Sequence, residues 1–429
     1  MKQSKYNVLF KMENSDYLLG NLLSGALSII PDDQISIIKN ILEGEFLKIV
    51  DQQLVHQMED EGYIIPDDFN EIDIIKYHYW KNKMDNSYFV LSIITSYNCD
   101  LNCVYCFQQN NRKESHSFIS SDILKRIPLL IKNKIKEGFK TFTIGWDGGE
   151  ASLSLNKIAK VGIEIKNICD ENDVTLYQDF ATNGFSLNED KIKLLNKIGV
   201  TTLAITLAGN QKEHDELRKT VDGENTFEHI LKNIQIAKTI IPNILIIVNV
   251  TKTNADSMYG LIDRFNELKL HDNVFFNFKR VIPYNIDKLQ NLCLPKKEYN
   301  KAVVSLQRYC RSKDIGVGNT HIMTPTFSHC LAGRKNSFAL DFNGNLYKCL
   351  ECCEDSIGYI NEFGELVLTE NDDVIDIFLD NKCINCIQLP CCAGGCLTKR
   401  KSNLDYCPSE SGSEKEYLLF EYDDQNFGS

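Results

Sequence analysis

Hydrophobic and polar positions follow two alternating rhythms between residues 89 and 282. Short apolar runs rich in β-branched residues, at 89–95, 141–146, 174–181, 202–207, 244–250 and 274–282, read as buried strands. Between them, apolar residues recur at helical spacing over 120–137, 155–169, 191–198, 226–240 and 256–268. Each strand except the last is trailed by a helix. The pattern predicts an α/β fold, a partial (β/α)6 TIM-type barrel of parallel strands with its chemistry at the strands' C-terminal ends.

The flanks break the rhythm. Residues 6–12 and 17–23 read as strands parted by Glu13-Asn14-Ser15-Asp16, and Ser24-Gly25 turns into 26–30. A helix begins at Pro31-Asp32-Asp33 with Ile35, Ile38 and Leu42 on one face. A second gathers Leu54, Val55 and Met58 and stops before Gly62, and residues 76–90 read as a connector. Three strands followed by helices resemble the winged-helix leader-recognition domain of peptide-modifying pathways, which can bind a peptide as an added edge strand. The plainer alternative is a cap that only packs on the barrel. After the barrel, 297–311 reads as a linking helix. The expected domains are 1–75, winged-helix-like α+β; 76–294, the partial barrel; and 295–429, a cysteine-rich iron–sulfur domain with its linking helix.

Composition narrows the class. Of 429 residues, 43% are hydrophobic and 25% charged, as in ordinary globular domains. A net charge of −12 argues against nucleic acid or an anionic membrane as partner. No apolar run is long enough to span a bilayer and the first residues lack a signal-peptide core, so a cytoplasmic, reducing location is expected. Sixteen cysteines then call for an explanation other than structural disulfides, and ten of them lie between Cys330 and Cys407.

Cys99, Cys103 and Cys106 form a CxxxCxxC loop directly after the first strand. Three thiolates do not complete a four-ligand shell, so a 4Fe–4S cube held this way keeps one iron open for a small molecule. A zinc loop that borrows a distant fourth ligand is the competing reading. The spacing, with Tyr105 before the third cysteine, resembles the signature of radical S-adenosylmethionine (radical SAM) enzymes. Gly148, Gly149 and Glu150 after the second strand match the family's GGE, whose backbone meets the amino group of SAM. Thr182 and Asn183 follow the third strand, and Thr206 ends the fourth. The stretch from Thr206 through His214, Asp215 and Arg218 to Thr226-Phe227 resembles the family's S/T-L-D-G…H-D…R…G-x-T-F. The resemblance implies that Thr206 meets the SAM ribose and Arg218 its carboxylate. Ala208 stands where the family has Asp, which removes the acid at that position. On spacing alone, His214 and Arg218 are one helical turn apart, which also allows a surface reading, favoured for His214 and not for Arg218.

The last third reads Cx13Gx4C from Cys330 through Gly344 to Cys349, then CxxCx5CxxxC over Cys383, Cys386, Cys392 and Cys396, then Cys407. This resembles the seven-cysteine SPASM extension of radical SAM enzymes. The resemblance assigns Cys330, Cys349 and Cys396 to a first auxiliary cluster, and Cys383, Cys386, Cys392 and Cys407 to a second. The first set lacks one ligand; Cys352 or Cys353 supplies it, or the site stays open for a substrate thiolate. Cys391 has no assigned role, and a zinc ribbon is the competing reading. Cys169, Cys293 and Cys310 read as core residues.

The resemblance implies three 4Fe–4S clusters, SAM, reductive cleavage to a 5′-deoxyadenosyl radical and hydrogen abstraction from a carbon. Catalytic residues beyond the cluster ligands are not identified. The expected partners are a precursor peptide with a leader and an electron donor such as flavodoxin or ferredoxin, with no nucleic acid or membrane. The expected reaction is a Cys thioether crosslink, as in sactipeptide and ranthipeptide synthases. The alternatives are anaerobic sulfatase maturation to formylglycine, carbon–carbon or carbon–oxygen crosslinking, and a non-catalytic iron–sulfur or zinc scaffold. In sulfatase maturases an Asp base follows the Gx4C cysteine; here Leu350 follows Cys349.

Overall fold

The computed structural model describes residues 1–45, 51–106, 108, 117–282, 287–318, 323–328, 330–351, 356–369, 377–401, 406–408 and 410–427. Two compact units divide the chain, and neither is continuous in sequence. One comprises Met1–Met84, Asn319–Arg334 and Val374–Ser429; the other comprises Asp85–Gly318 and Lys335–Asp373. Among the described residues no helix is long and apolar enough to cross a membrane.

The first unit begins with β1 (Lys2–Gln3), β2 (Asn7–Lys11), β3 (Tyr17–Asn21), β4 (Leu27–Ile30) and β5 (Ile64–Ile65). β2, β3 and β4 form an antiparallel sheet in that order, and β1 pairs with β5. Leu19, Ile30, Ile38, Ile41, Met58 and Tyr63 make its core with α1 (Ile35–Leu42) and α2 (Gln52–Asp60). The expected strands and both helices are present. The connector expected over residues 76–90 is largely helical instead, as α3 (Glu71–Lys83). Asn70 caps it, Glu71 and Asp73 lie in its first turn, and Lys81 and Lys83 lie in its last, which suits the helix dipole. Only Ile75 and Tyr79 carry the buried apolar stripe while Tyr77 points outward, so hydrophobic periodicity did not reveal it.

Late segments complete this unit. A Cβ on Gly20 would sit 3.1 Å from the Leu418 side chain, in the helix Glu414–Phe427. Asn82 donates to the Thr326 carbonyl at 3.0 Å, and Lys5 donates to the Ile384 carbonyl. The N-terminal elements and the last cysteine-bearing segment therefore share packing.

The second unit is built on β6 (Tyr88–Ile94), β7 (Thr141–Asp147), β8 (Thr175–Thr182), β9 (Val200–Leu207), β10 (Asn243–Val250) and β11 (Val274–Arg280). All are parallel and lie side by side in chain order. The helices between them are α4 (Ser121–Lys136), α5 (Leu155–Glu171), α6 (Glu189–Ile198), α7 (Gln211–Leu217), α8 (Phe227–Lys238) and α9 (Met258–Glu267), followed by α10 (Lys296–Arg311). Alternation along each strand sorts the two faces. On β9, Leu203, Ile205 and Leu207 are buried in the helix-covered core, whereas Thr202, Ala204 and Thr206 are partly accessible.

The sheet extends beyond the six expected strands. β12 (Gly316–Val317) joins β11 in parallel, and β13 (Ser337–Leu340) joins β6 in parallel. β14 (Asn345–Tyr347), β15 (Gly358–Ile360) and β16 (Leu366–Leu368) continue antiparallel from β13, giving eleven strands among the described residues. The hairpin carrying Cys349 thus belongs to the barrel's own sheet.

Candidate functional site

The loop after β6 leaves the sheet beside the end of β7, where Thr95 N–H donates to the Asp147 carbonyl at 2.9 Å. The Gly-Gly-Glu segment holds one side of the loop: Gly149 N–H donates to Ser96 at 2.7 Å and Glu150 N–H to Asn98 at 2.8 Å. A Cβ on Gly148 would lie 2.4 Å from the Ser96 carbonyl oxygen, and one on Gly149 would lie 2.3 Å from that of Asn98. The glycines thus permit the close approach of two protein loops. The opposite side pairs with the segment after α7: Asn102 N–H donates to Lys219 at 2.8 Å, Val104 N–H to Leu217 at 3.0 Å and Val221 N–H to Asp100 at 3.0 Å.

Between these supports stand Cys103, buried, with Cys99 and Cys106 half-buried. Cys99 Sγ accepts from Leu101 N–H at 3.5 Å and from Asn183 Nδ2 at 3.6 Å. Among the described residues no three thiols, imidazoles or carboxylates converge where one metal ion would sit. A four-iron cube asks for a different arrangement, one thiolate per iron. A short loop of thiols with its backbone tied down on both sides fits that group.

Glu150 is buried, and its carboxylate accepts from Ser152 N–H at 2.9 Å, Thr182 Oγ1 at 2.6 Å and Asn183 N–H at 2.7 Å. Burial raises its pKa, and these hydrogen bonds only partly offset the effect. Asn183 passes the connection on, donating to Asp100 in the cysteine loop at 2.6 Å, and Ser186 donates to the same carboxylate. Glu150, Thr182 and Asn183 therefore tie the ends of β7 and β8 to the thiol loop. Thr206 lies further along the sheet, paired with Ile247 and half-buried.

Arg218 is buried, and Nη1 donates to the Tyr105 hydroxyl at 3.2 Å. Burial works against the guanidinium's charge, but Cys103, Tyr105 and Cys99 outweigh it, so the pKa is raised and the group stays ionised. Its Nε is buried with no acceptor among the described residues. A buried guanidinium with a donor still unpaired, beside two cluster-loop thiols, suits a carboxylate-bearing ligand.

The surface placement that spacing allowed for His214 and Arg218 is incorrect. His214 is fully buried; Nδ1 accepts from Ala208 N–H at 3.2 Å and Nε2 faces Thr226 Oγ1 at 3.0 Å. Thr226 Oγ1 in turn donates to the Arg218 carbonyl at 2.6 Å, so the neutral imidazole carries its proton on Nε2. Burial, reinforced by Arg218, holds the His214 pKa well below the usual range. Asp215 Oδ1 accepts from the N–H groups of Thr226 and Phe227 at 2.9 and 3.0 Å. The H-D…T-F residues thus lock the turn that presents Arg218. Sequence reasoning noted the motif without this role, because the partners meet only after the chain doubles back.

Cys383, Cys386, Cys392 and Cys407 lie in the first unit, close enough that Cys386, Cys383 and Cys407 all act electrostatically on Cys392. Cys391 faces elsewhere, toward the Leu22 carbonyl at 3.6 Å. Cys330 and Cys396 are also in the first unit, and Cys349 is in the second. Cys352 and Cys353 lie outside the described residues. Cys169 and Cys310 are buried core residues, and Cys293 is half-buried against the Tyr105 cluster.

Residues 93–265 match the radical SAM superfamily. The chain is 26% identical over 343 residues to the cysteine-type anaerobic sulfatase-maturating enzyme of Clostridium novyi, covering 72% of this chain and 87% of that one. It is 22% identical over 479 residues to the radical SAM cyclopropyl synthase TigE of Paramaledivibacter caminithermalis, covering 98% of this chain and 97% of the relative. Among solved structures, native anSMEcpe with bound AdoMet superposes with a TM-score of 0.62 at 20% identity, over 79% of this chain and 98% of that one. Streptococcus suis SuiB bound to precursor peptide SuiA superposes with a TM-score of 0.52 at 16% identity, over 96% and 99%. Residues 93–265 thus form a domain of the radical SAM superfamily, and the chain that carries it is an enzyme.

Proposed function

We propose that this enzyme is a peptide maturase that joins a cysteine sulfur to a carbon of a ribosomally made precursor peptide. Coverage carries the peptide reading. SuiB, solved with a precursor peptide bound, aligns with 96% of the chain, whereas the sulfatase-maturating relative covers 72% of it and anSMEcpe 79%. Sulfatase maturation remains the second reading because that relative has the higher identity. The Leu350 that follows Cys349 stands against it.

In this reading Cys99, Cys103 and Cys106 hold a four-iron cluster, Arg218 binds the carboxylate of SAM, Thr206 its ribose, and the Gly148-Gly149-Glu150 backbone its amino group. Tyr105 orients Arg218, and Thr182 and Asn183 support the loop. SAM bound there supplies, on reduction, a radical able to take hydrogen from an unactivated carbon. Cys330, Cys349 and Cys396 would hold one auxiliary cluster and Cys383, Cys386, Cys392 and Cys407 another. A flavodoxin or ferredoxin would deliver electrons, and residues 1–75 would capture the leader.

The test is anaerobic incubation of the reconstituted enzyme with SAM, reductant and a cysteine-containing precursor, read by mass spectrometry. A thioether removes two hydrogens and one alkylatable thiol. A carbon–carbon or carbon–oxygen bond removes two hydrogens and keeps the thiol. Formylglycine loses the sulfur and leaves an aldehyde that reacts with hydrazines. Either of the last two products would overturn the thioether reading.

A further inference from the structure

We infer that Arg400 is a positioning residue that sets the reduction potential of the cluster held by Cys383, Cys386, Cys392 and Cys407, by donating a charge-assisted hydrogen bond to the Cys383 sulfur. The inference rests on the reading of these four thiols as an iron–sulfur ligand set.

The geometry around Arg400 is built from several independent contacts. Nη2 donates to Cys383 Sγ at 2.9 Å and to the Gly394 carbonyl at 2.7 Å. Nη1 donates to Asp380 Oδ2 at 2.6 Å. The guanidinium centre lies 3.8 Å from the centroid of the Tyr406 ring, and the Tyr406 hydroxyl donates to the same Asp380 oxygen at 2.7 Å. Asp380 Oδ1 caps the short helix Asn381–Ile384 through Lys382 N–H at 2.9 Å. The Arg400 side chain is only 12% exposed, and its Nε is buried with no acceptor among the described residues. A planar cation held on one face by an aromatic ring and at one edge by a carboxylate has little freedom to leave the sulfur.

The sign of the effect follows from charge. Reducing an iron–sulfur cluster adds negative charge that is shared onto its sulfurs, so a donated N–H and a nearby cation stabilise the reduced state and raise the potential. Asp380 also lies 3.6 Å from Cys383 Sγ, an arrangement that opposes the effect. Arg400 and Tyr406 both bond to that carboxylate and screen it. Removing Arg400 takes away the donor and unmasks the carboxylate, and both changes disfavour reduction.

The test uses the full-length chain with Cys99, Cys103 and Cys106 replaced by Ala, reconstituted anaerobically, so that only auxiliary clusters contribute to an EPR-monitored redox titration. The underlying reading predicts about eight irons in this background. A protein that binds none there fails that reading, whatever Arg400 does. With the irons present, Arg400→Gln is expected to lower the reduced-to-oxidised ratio of one cluster at least tenfold at fixed potential, about 59 mV for a one-electron couple, and to leave the other unmoved. An iron-complete Arg400→Gln protein with unchanged potentials overturns the inference. If Arg400→Gln loses iron, Arg400→Lys is read instead. A lowered potential supports the inference; an unmoved potential, or loss of iron here too, overturns it by showing a purely structural anchor.

Discussion

Arg218 and Tyr105 meet at 3.2 Å between a buried guanidinium and a buried phenol, joining the segment after α7 to the last turn of the cysteine loop. Tyr105 orients Arg218 and leaves its Nε without an acceptor among the described residues. In the proposed reading this pair receives the carboxylate of SAM. Replacing Arg218 by Met is expected to weaken SAM binding roughly ten- to hundredfold, the scale of a charged hydrogen bond worth about 1.5–3 kcal/mol. Iron content should stay intact. Calorimetry with SAM on the reconstituted protein checks this, and unchanged affinity would remove Arg218 from the cofactor site.

Gly149 is the tightest point of the loop. A methyl group there would meet the carbonyls of Asn98 and Tyr97 at 2.3 and 2.4 Å, and both belong to the thiol loop's backbone. Gly149→Ala should cost about 1–3 kcal/mol and reduce the iron retained at Cys99, Cys103 and Cys106. Thermal melting together with iron per chain measures both.

Iron stoichiometry tests the cofactor assignment as a whole. Three four-iron clusters require about twelve irons per chain, and the triple Ala replacement of Cys99, Cys103 and Cys106 should remove about four of them with all SAM cleavage. Stoichiometric zinc in anaerobically prepared protein would contradict the assignment.

Peptide capture is better tested by a point substitution than by deleting residues 1–75, because those residues pack with the last cysteine-bearing segment. β4 has only β3 beside it among the described strands, and Ile29 on it is 39% exposed. Ile29→Asp should weaken precursor binding at least roughly fivefold, about 1 kcal/mol of lost apolar contact. SAM cleavage without peptide should be unaffected. Equal peptide affinity would mark β4 as ordinary surface.

Glu421 makes stability depend on pH. Burial raises its pKa from the ordinary 4.5 to about 7, against the hydrogen bond it accepts from Met323 N–H at 2.9 Å. A carboxyl whose pKa is raised on folding binds more protons folded than unfolded, so its contribution is full below about 4.5 and is lost as pH rises through about 7. The loss is at most roughly 3 kcal/mol. Glu421→Gln should flatten this part of the profile and raise the melting temperature at pH 8, as pH-resolved thermal melts can show.

Much of the second unit was legible in the sequence. The six parallel strands and their helices appear where the alternating patterns placed them, because burial on a sheet or helix face imposes a local period on the chain. Cysteine spacing marked the thiol loop for a similar reason, since residues within one short loop must meet. α3 escaped because its buried stripe is only Ile75 and Tyr79, so its caps and packing decide it more than its pattern does.

Tertiary structure alone decided the rest. It buries His214 and Arg218, turns Glu150 inward to Thr182 and Asn183, and presses Gly149 against the thiol loop. It also places Cys349 just past β14 of the barrel's own sheet, and groups residues 1–84 with the segment that carries Cys383 and Cys407. Local periodicity reports which face of an element is covered. It does not say which distant segment covers it, because that depends on contacts between residues tens to hundreds of positions apart.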